Sequence, residues 1–143
     1  MKITQLSVFL ENRKGRLYDV CALLGKNKIN IRALTVAESE DFGVLRMVVD
    51  RPQEALNLLR QNNFTANFTE IVAVEVDDRP GGLAKILKLL QDNNINIEYM
   101  YGFVEKFSNK ALLVFRFENI NKALEVLKKN KIKIVPKTQI VKL

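Results

Sequence analysis

Apolar and polar positions alternate at the start of the chain. Leu6, Val8 and Leu10 interleave with Gln5, Ser7 and Glu11, which is the period of a strand. A turn is expected at Asn12 to Arg16. Leu17, Val20, Cys21 and Leu24 then fall at i, i+3, i+4 and i+7, one face of a helix. Asn27-Lys28 ends it, and Ile29 to Ala37 reads as a second strand. Glu38 to Gly43 is a polar turn. Val44 to Val49 is almost wholly apolar, as in a strand covered on both faces. Asp50-Arg51-Pro52 opens a second helix, because proline suits the first turn and aspartate the cap. Ala55, Leu58 and Leu59 form its inner face, and Phe64 to Phe68 is a last short strand.

The order β-α-β-β-α-β then repeats. The second round is Ile71–Val76, Leu83–Leu90, Ile95–Val104, Ala111–Phe117, Ala123–Leu127 and Ile132 to Leu143. The repetition extends to residues. Gly15 maps onto Gly81 at an offset of 66, which also carries Leu17, Val20 and Leu24 onto Leu83, Ile86 and Leu90. Beyond an insertion of two residues the offset is 68, and Ala55, Leu56 and Leu59 map onto Ala123, Leu124 and Leu127. Two copies are too few for a solenoid. The chain therefore reads as two small domains, 1–69 and 70–143. Thr69-Glu70 is the only space for a linker, and it holds no Gly, Pro or Ser, so the junction is stiff.

This element order implies an α+β fold of two ferredoxin-like units in tandem. Each is an antiparallel sheet with its helices on one face, and right-handed crossovers place the first and third strands in the middle. The third strand of the first half is apolar on both alternations: Leu45, Met47 and Val49 on one, Val44 and Val48 on the other. Packing against a second sheet or an edge-on dimer would account for that.

Composition removes several function classes. One cysteine and no histidine exclude an intrachain disulfide, a zinc site of the usual Cys/His type and a Ser-His-Asp or Cys-His arrangement. Cys21 takes the place of Leu87 in the repeat and is expected as a core thiol. No carboxylate pair stands at a repeated position, so no catalysis and no cofactor are expected. No stretch has the length of a membrane span and the N-terminus lacks a signal-peptide core, so the expected location is the cytoplasm. The net charge of +7 includes Lys122, Lys128, Lys129, Lys131, Lys133, Lys137 and Lys142 near the end. A solvated face and an attraction to an anionic partner both fit. The lysines are spread out and not interleaved with aromatics, which disfavours nucleic acid. An RNA platform would need exposed aromatics on the third strand. Phe115 and Phe117 have that spacing, but their counterparts Met47 and Val49 are core residues.

What the repeat keeps is the turn between first strand and first helix. Gly15 and Gly81 permit backbone geometry that other residues resist. Free N–H groups at a helix start can hold a carboxylate. A tight turn without a ligand fits the same residues.

Asp78-Arg79-Pro80-Gly81-Gly82-Leu83, with Asn94-Ile95-Asn96-Ile97 at the helix end, resembles the signature of ACT domains. Asn12-Arg13-Lys14-Gly15-Arg16-Leu17 with Lys28-Ile29-Asn30-Ile31 is a weaker copy. The resemblance covers nearly the whole chain, twice. It implies regulatory modules that bind amino acids, usually where units pair, framed by the loop before the first helix and the start of the second strand. Carried over, the ligand-binding residues are Asn12, Arg13, Lys14, Gly15, Arg16, Leu17, Asn30 and Ile31. In the second half they are Asp78, Arg79, Pro80, Gly81, Gly82, Leu83, Asn96 and Ile97. Lys14 replaces the family's proline, and Asn12 is neutral where Asp78 is charged. The two modules use up the chain. The resemblance thus implies a free-standing tandem protein that binds an amino acid and works through self-association or a regulated protein partner. The rival expectation is an interaction or transcription-linked module that has lost its ligand.

Overall fold

The computed structural model describes residues 1–104 and 109–142. These form two compact units, Thr4–Thr69 with Lys142, and Glu70–Val141 with Met1–Ile3. The first unit contains β1 (Ile3–Glu11), α1 (Arg16–Lys26), β2 (Ile31–Glu38), β3 (Phe42–Val49), α2 (Pro52–Gln61) and the opening of β4 (Thr65–Asp77). The second contains the rest of β4, α3 (Gly82–Asp92), β5 (Ile97–Gly102), β6 (Lys110–Phe117), α4 (Ile120–Lys129) and α5 (Lys137–Val141).

In the first unit β3 lies between β2 and β1, antiparallel to both, with Leu6 opposite Met47 and Val8 opposite Leu45. These four residues are fully buried, and they pack with Val20, Leu24, Ala55, Leu56 and Leu59 from the helices. In the second unit β6 lies between β4 and β5, with Val72 opposite Phe115 and Val74 opposite Leu113. Its core joins Val72, Val74, Phe115 and Phe117 to Ile86, Leu90, Ala123 and Leu127. Alternation thus selects one sheet face and helical spacing one stripe, and the two meet. The fold class is the expected one: βαββαβ repeats of ferredoxin-like order. Phe115 and Phe117 are core residues with no exposure, stacked 5.5 Å apart, so they offer no platform to a nucleic acid.

Several elements differ from the sequence expectation. The short strand at Phe64 to Phe68, the linker and the strand at Ile71–Val76 are one continuous strand, β4. Thr69-Glu70 carries nothing that breaks extended backbone, so the strand runs through it. The last strand expected at Ile132 to Leu143 shrinks to a bridge between Ile134 and Val74. Glu75 N–H donates to the Lys133 carbonyl at 3.0 Å and Val135 N–H to that of Ala73 at 2.8 Å. Pro136 follows, has no N–H to continue the ladder, and opens α5 instead. Leu143 lies outside the described residues. In α2, Leu56 is deeper than Leu58, which is only partly buried. Cys21 is partly buried rather than a core thiol, and partial burial raises its pKa. Leu17 and Leu83, in the first helical turns, remain exposed.

The four main helices end alike. Asn27, Asn62, Asn93 and Asn130 are the C-caps, and each side-chain amide donates back to the carbonyl four residues earlier at 2.8–2.9 Å. The next residue (Lys28, Asn63, Asn94 or Lys131) has φ between 56° and 67°. This left-handed step closes the helix as glycine usually does.

Candidate functional site

The strand–turn–helix junction is built twice on one plan. Gly15 (φ 92°, ψ −15°) and Gly81 (φ 84°, ψ −9°) are left-handed N-caps of α1 and α3, and neither helix start has a side-chain cap. Arg13 N–H donates to the Glu11 carbonyl at 2.8 Å, and Arg79 N–H to that of Asp77 at 3.0 Å. The same arginines ion-pair with the same carboxylates: Arg13 Nε to Glu11 Oε2 at 3.0 Å, Arg79 Nη2 to Asp77 Oδ2 at 3.2 Å. An acidic residue closing the first strand and an arginine two places on is a repeated pair. Glu11 and Asp77 were absent from the sequence-derived set, although their shared position was a usable signal.

The structure places the expected binding residues in different surroundings. Asn12 is occupied with its own fold: Nδ2 donates to the carbonyls of Ser39 and Glu40 at 3.3 and 3.2 Å, pinning the turn between β2 and β3. Lys14 is exposed, as is Leu17. Asn30 and Ile31 stand where β2 begins. Asn30 N–H donates to Asp50 Oδ1 at 3.0 Å, and Asp50 N–H returns to the Asn30 carbonyl at 3.1 Å. Asp50 therefore ties the entry of β2 and does not cap α2. In the second unit Asn96 holds the matching position, its carbonyl accepting from Glu118 N–H at 3.1 Å. A bulge follows both, at Ile31/Ala33 and at Ile97/Tyr99.

Within the second unit the expected set divides between two pockets. Gly81 and Gly82 line a groove of about 900 Å³ with Ala84, Lys85, Ile86 and Leu89 of α3 and Asn130 to Lys133. Asn96 and Ile97 line a smaller pocket of about 480 Å³ with Leu87, Leu90 and Gln91, a different set of α3 residues. Asp78, Arg79, Pro80 and Leu83 line neither pocket.

The groove is charged, and its charged residues were not in the sequence-derived set. Glu75, Asp77 and Asp92 supply carboxylates, and Lys85, Lys88, Lys110, Lys131 and Lys133 ammonium groups. Three pairs form: Lys110 with Asp77, Lys88 with Asp92 at 3.2 Å and Lys133 with Glu75 at 3.5 Å. The hydrogen bond and charge of Lys110 hold the Asp77 carboxyl below the usual carboxylate range. Gly82 sets the approach of α3 to β4, since a Cβ there would lie 2.1 Å from the Asp77 carbonyl oxygen.

The first unit treats the corresponding positions differently. Arg16 replaces Gly82, and Phe64 replaces Ile132. The Arg16 guanidinium lies 4.5 Å over the Phe64 ring and 3.5 Å from Asp19 Oδ2. Arg16 is therefore engaged within its own unit. Lys110 and Glu75 correspond to Phe42 and Phe9, so the charges are not repeated.

No helix among the described residues is long and apolar enough to cross a membrane. No curated protein matches the chain. Among solved structures, it is similar to protein BT0572 from Bacteroides thetaiotaomicron, at 41% identity over 100% of this chain and 98% of that one, with a TM-score of 0.93. It is also similar to the regulatory subunit of aspartate kinase from Thermus thermophilus in its ligand-free form. There identity is 16% over 90% of this chain and 94% of that one, and the TM-score is 0.62. The corresponding subunit from Thermus flavus gives 17%, 90%, 94% and 0.59. At such identities the likeness is one of fold. The profile of the ACT domain pair matches residues 1–143. With the two βαββαβ units and their glycine turns, that match makes the chain a member of the ACT domain pair family, a family of regulatory domains.

Proposed function

We propose that this protein is a non-catalytic regulatory chain that binds a free amino acid at its strand–glycine–helix turns, where ACT-like units pair. Its output goes through self-association or a regulated protein partner. One observation carries the reading: both first helices start on a left-handed glycine with no side-chain cap. Arg16 N–H and Gly82 N–H turn back to the Arg13 and Arg79 carbonyls at 3.4 and 2.9 Å, and the other first-turn N–H groups of an uncapped helix, with its partial positive charge, suit a carboxylate. In the second unit that start opens onto a groove holding both signs of charge. A zwitterion needs both. The groove is also within the roughly 300–1,000 Å³ of small-molecule sites. The carried-over residues from Arg13 to Leu17, Asp78 to Leu83 and at Asn30, Ile31, Asn96 and Ile97 remain part of the proposal, whereas the Asn12 amide serves the Ser39 and Glu40 carbonyls. Gly81 and Gly82 have the best support.

A thermal-shift screen of the full chain against the twenty amino acids tests the reading. A ligand at about 100 times its Kd stabilises the folded state by about 2.7 kcal/mol, which such a screen detects. No shift with any amino acid at millimolar concentration would remove it.

A second reading, a protein-docking module, rests on the first unit's sheet. Phe9 and Phe42 are 47% and 58% exposed, and Phe9 sits opposite half-buried Val44 on β3. Exposed aromatic residues so close together suit a protein surface. If the double substitution Phe9→Ser, Phe42→Ser left sedimentation behaviour unchanged, this face would have no part in self-association.

A further inference from the structure

We infer that the groove of the second unit takes one acidic amino acid per chain, a ligand with an anionic side chain as well as its α-carboxylate. The inference rests on the amino-acid reading above, narrows it from both turns to that of the second unit, and adds the ligand's class. Five lysines and three carboxylates line the groove. The carboxylates hold Lys110, Lys88 and Lys133. Lys85 and Lys131 are left exposed, with no ion pair among the described residues, although the charge of Lys85 also acts on Asp77. A ligand that displaces water from the groove must satisfy that surplus, because an ammonium group losing hydration without a counter-charge is penalised. A neutral zwitterion adds no net charge; an acidic amino acid adds a second carboxylate.

Glu75 favours an amino acid over a simple dicarboxylate. Its Oε2 is buried and accepts no hydrogen bond among the described residues, although Lys133 Nζ stands 3.5 Å away. A ligand ammonium group would supply the missing donor. The stoichiometry follows from the repeat. The first unit has Asp19, Ala22, Phe42, Asn63 and Thr65 where the groove has Lys85, Lys88, Lys110, Lys131 and Lys133. All five cations are missing there, and Arg16 lies over Phe64 at the positions of Gly82 and Ile132.

Isothermal titration calorimetry of the full chain provides the test, with L-aspartate and L-glutamate, their amides L-asparagine and L-glutamine, and the diacids succinate and glutarate. The expected result is one acidic amino acid bound per chain, at least about tenfold tighter than its amide, as a charge-assisted hydrogen bond implies. Lys85→Met and Lys131→Met should each weaken the acid by about tenfold and leave the amide unchanged. Both lysines are exposed, so circular dichroism should show intact folds. An amide, or any other uncharged amino acid, binding as tightly as the acid would overturn the acidic class and leave the amino-acid reading standing. Binding of the diacids alone would overturn both and leave an anion site. Two equal sites per chain would overturn the stoichiometry. No binding by any of the six or by the other amino acids would end both readings.

Discussion

The guanidinium of Arg16 covers the ring of Phe64 at 4.5 Å, and the corresponding pair in the second unit is Gly82 and Ile132. Two differences at repeated positions thus separate a side chain packed on its own unit from an open groove. A cation over an aromatic face contributes about 0.5–2 kcal/mol, depending on how far it is desolvated. Arg16 is mostly covered, and its Nε has no hydrogen-bond partner among the described residues. Arg16→Ala should therefore destabilise the protein by only about 1 kcal/mol in urea unfolding. A double-mutant cycle with Phe64→Leu should show a coupling near that size. Full additivity would mean that the contact contributes nothing.

Gly81 and Gly82 should fail for different reasons when changed to alanine. Gly81 has open space around a Cβ but a φ of 84°, so Gly81→Ala costs about 1–2 kcal/mol of backbone strain. Gly81→Asn should recover part of it. Gly82→Ala meets the Asp77 carbonyl, a backbone atom that cannot rotate away. The helix start must move, at about 1–3 kcal/mol or more. Gly82→Asn should recover nothing. Equal rescue by asparagine at both positions in thermal unfolding would refute the distinction.

Acid should act through Asp77. Its folded carboxyl titrates below the ordinary value of about 3.9, chiefly because Lys110 hydrogen-bonds it. The stability it contributes is therefore fully present above the unfolded value. It is lost as pH falls through the lower, folded one. The wild type should exceed Asp77→Asn in stability at neutral pH, and the gap should close below about pH 4. Urea midpoints measured from pH 7 to pH 2 check this, and a constant gap would exclude the Lys110–Asp77 pair as its source.

Asn12 should matter to the loop more than to a ligand. Its amide already serves the Ser39 and Glu40 carbonyls. Asn12→Ala should cost about 0.5–1 kcal/mol, the lower range for exposed hydrogen bonds. It should leave amino-acid affinity unchanged in calorimetry. A tenfold loss of affinity would return Asn12 to the binding set.

Sequence by itself determined the repeat and most of the element order and of the core. These follow from periodicity, and periodicity is local: Leu6 and Val8 face one way because strands alternate, Ala55 and Leu59 because helices turn. It also marked Gly15 and Gly81, since glycine takes a left-handed φ without the strain that a Cβ brings. The length of β4 and the end of the last strand are also set by local signals. Thr69-Glu70 holds no breaker, and Pro136 stops a ladder. Tertiary structure alone decided the surroundings of the candidate site residues. Whether Asn12 meets a ligand or Ser39 depends on a turn 27 residues away. Whether Lys110 neutralises Asp77 depends on strand pairing across 33 residues. A groove is the space that packing leaves unfilled, and no window of sequence shows that Arg16 reaches Phe64 while Gly82 leaves Ile132 uncovered.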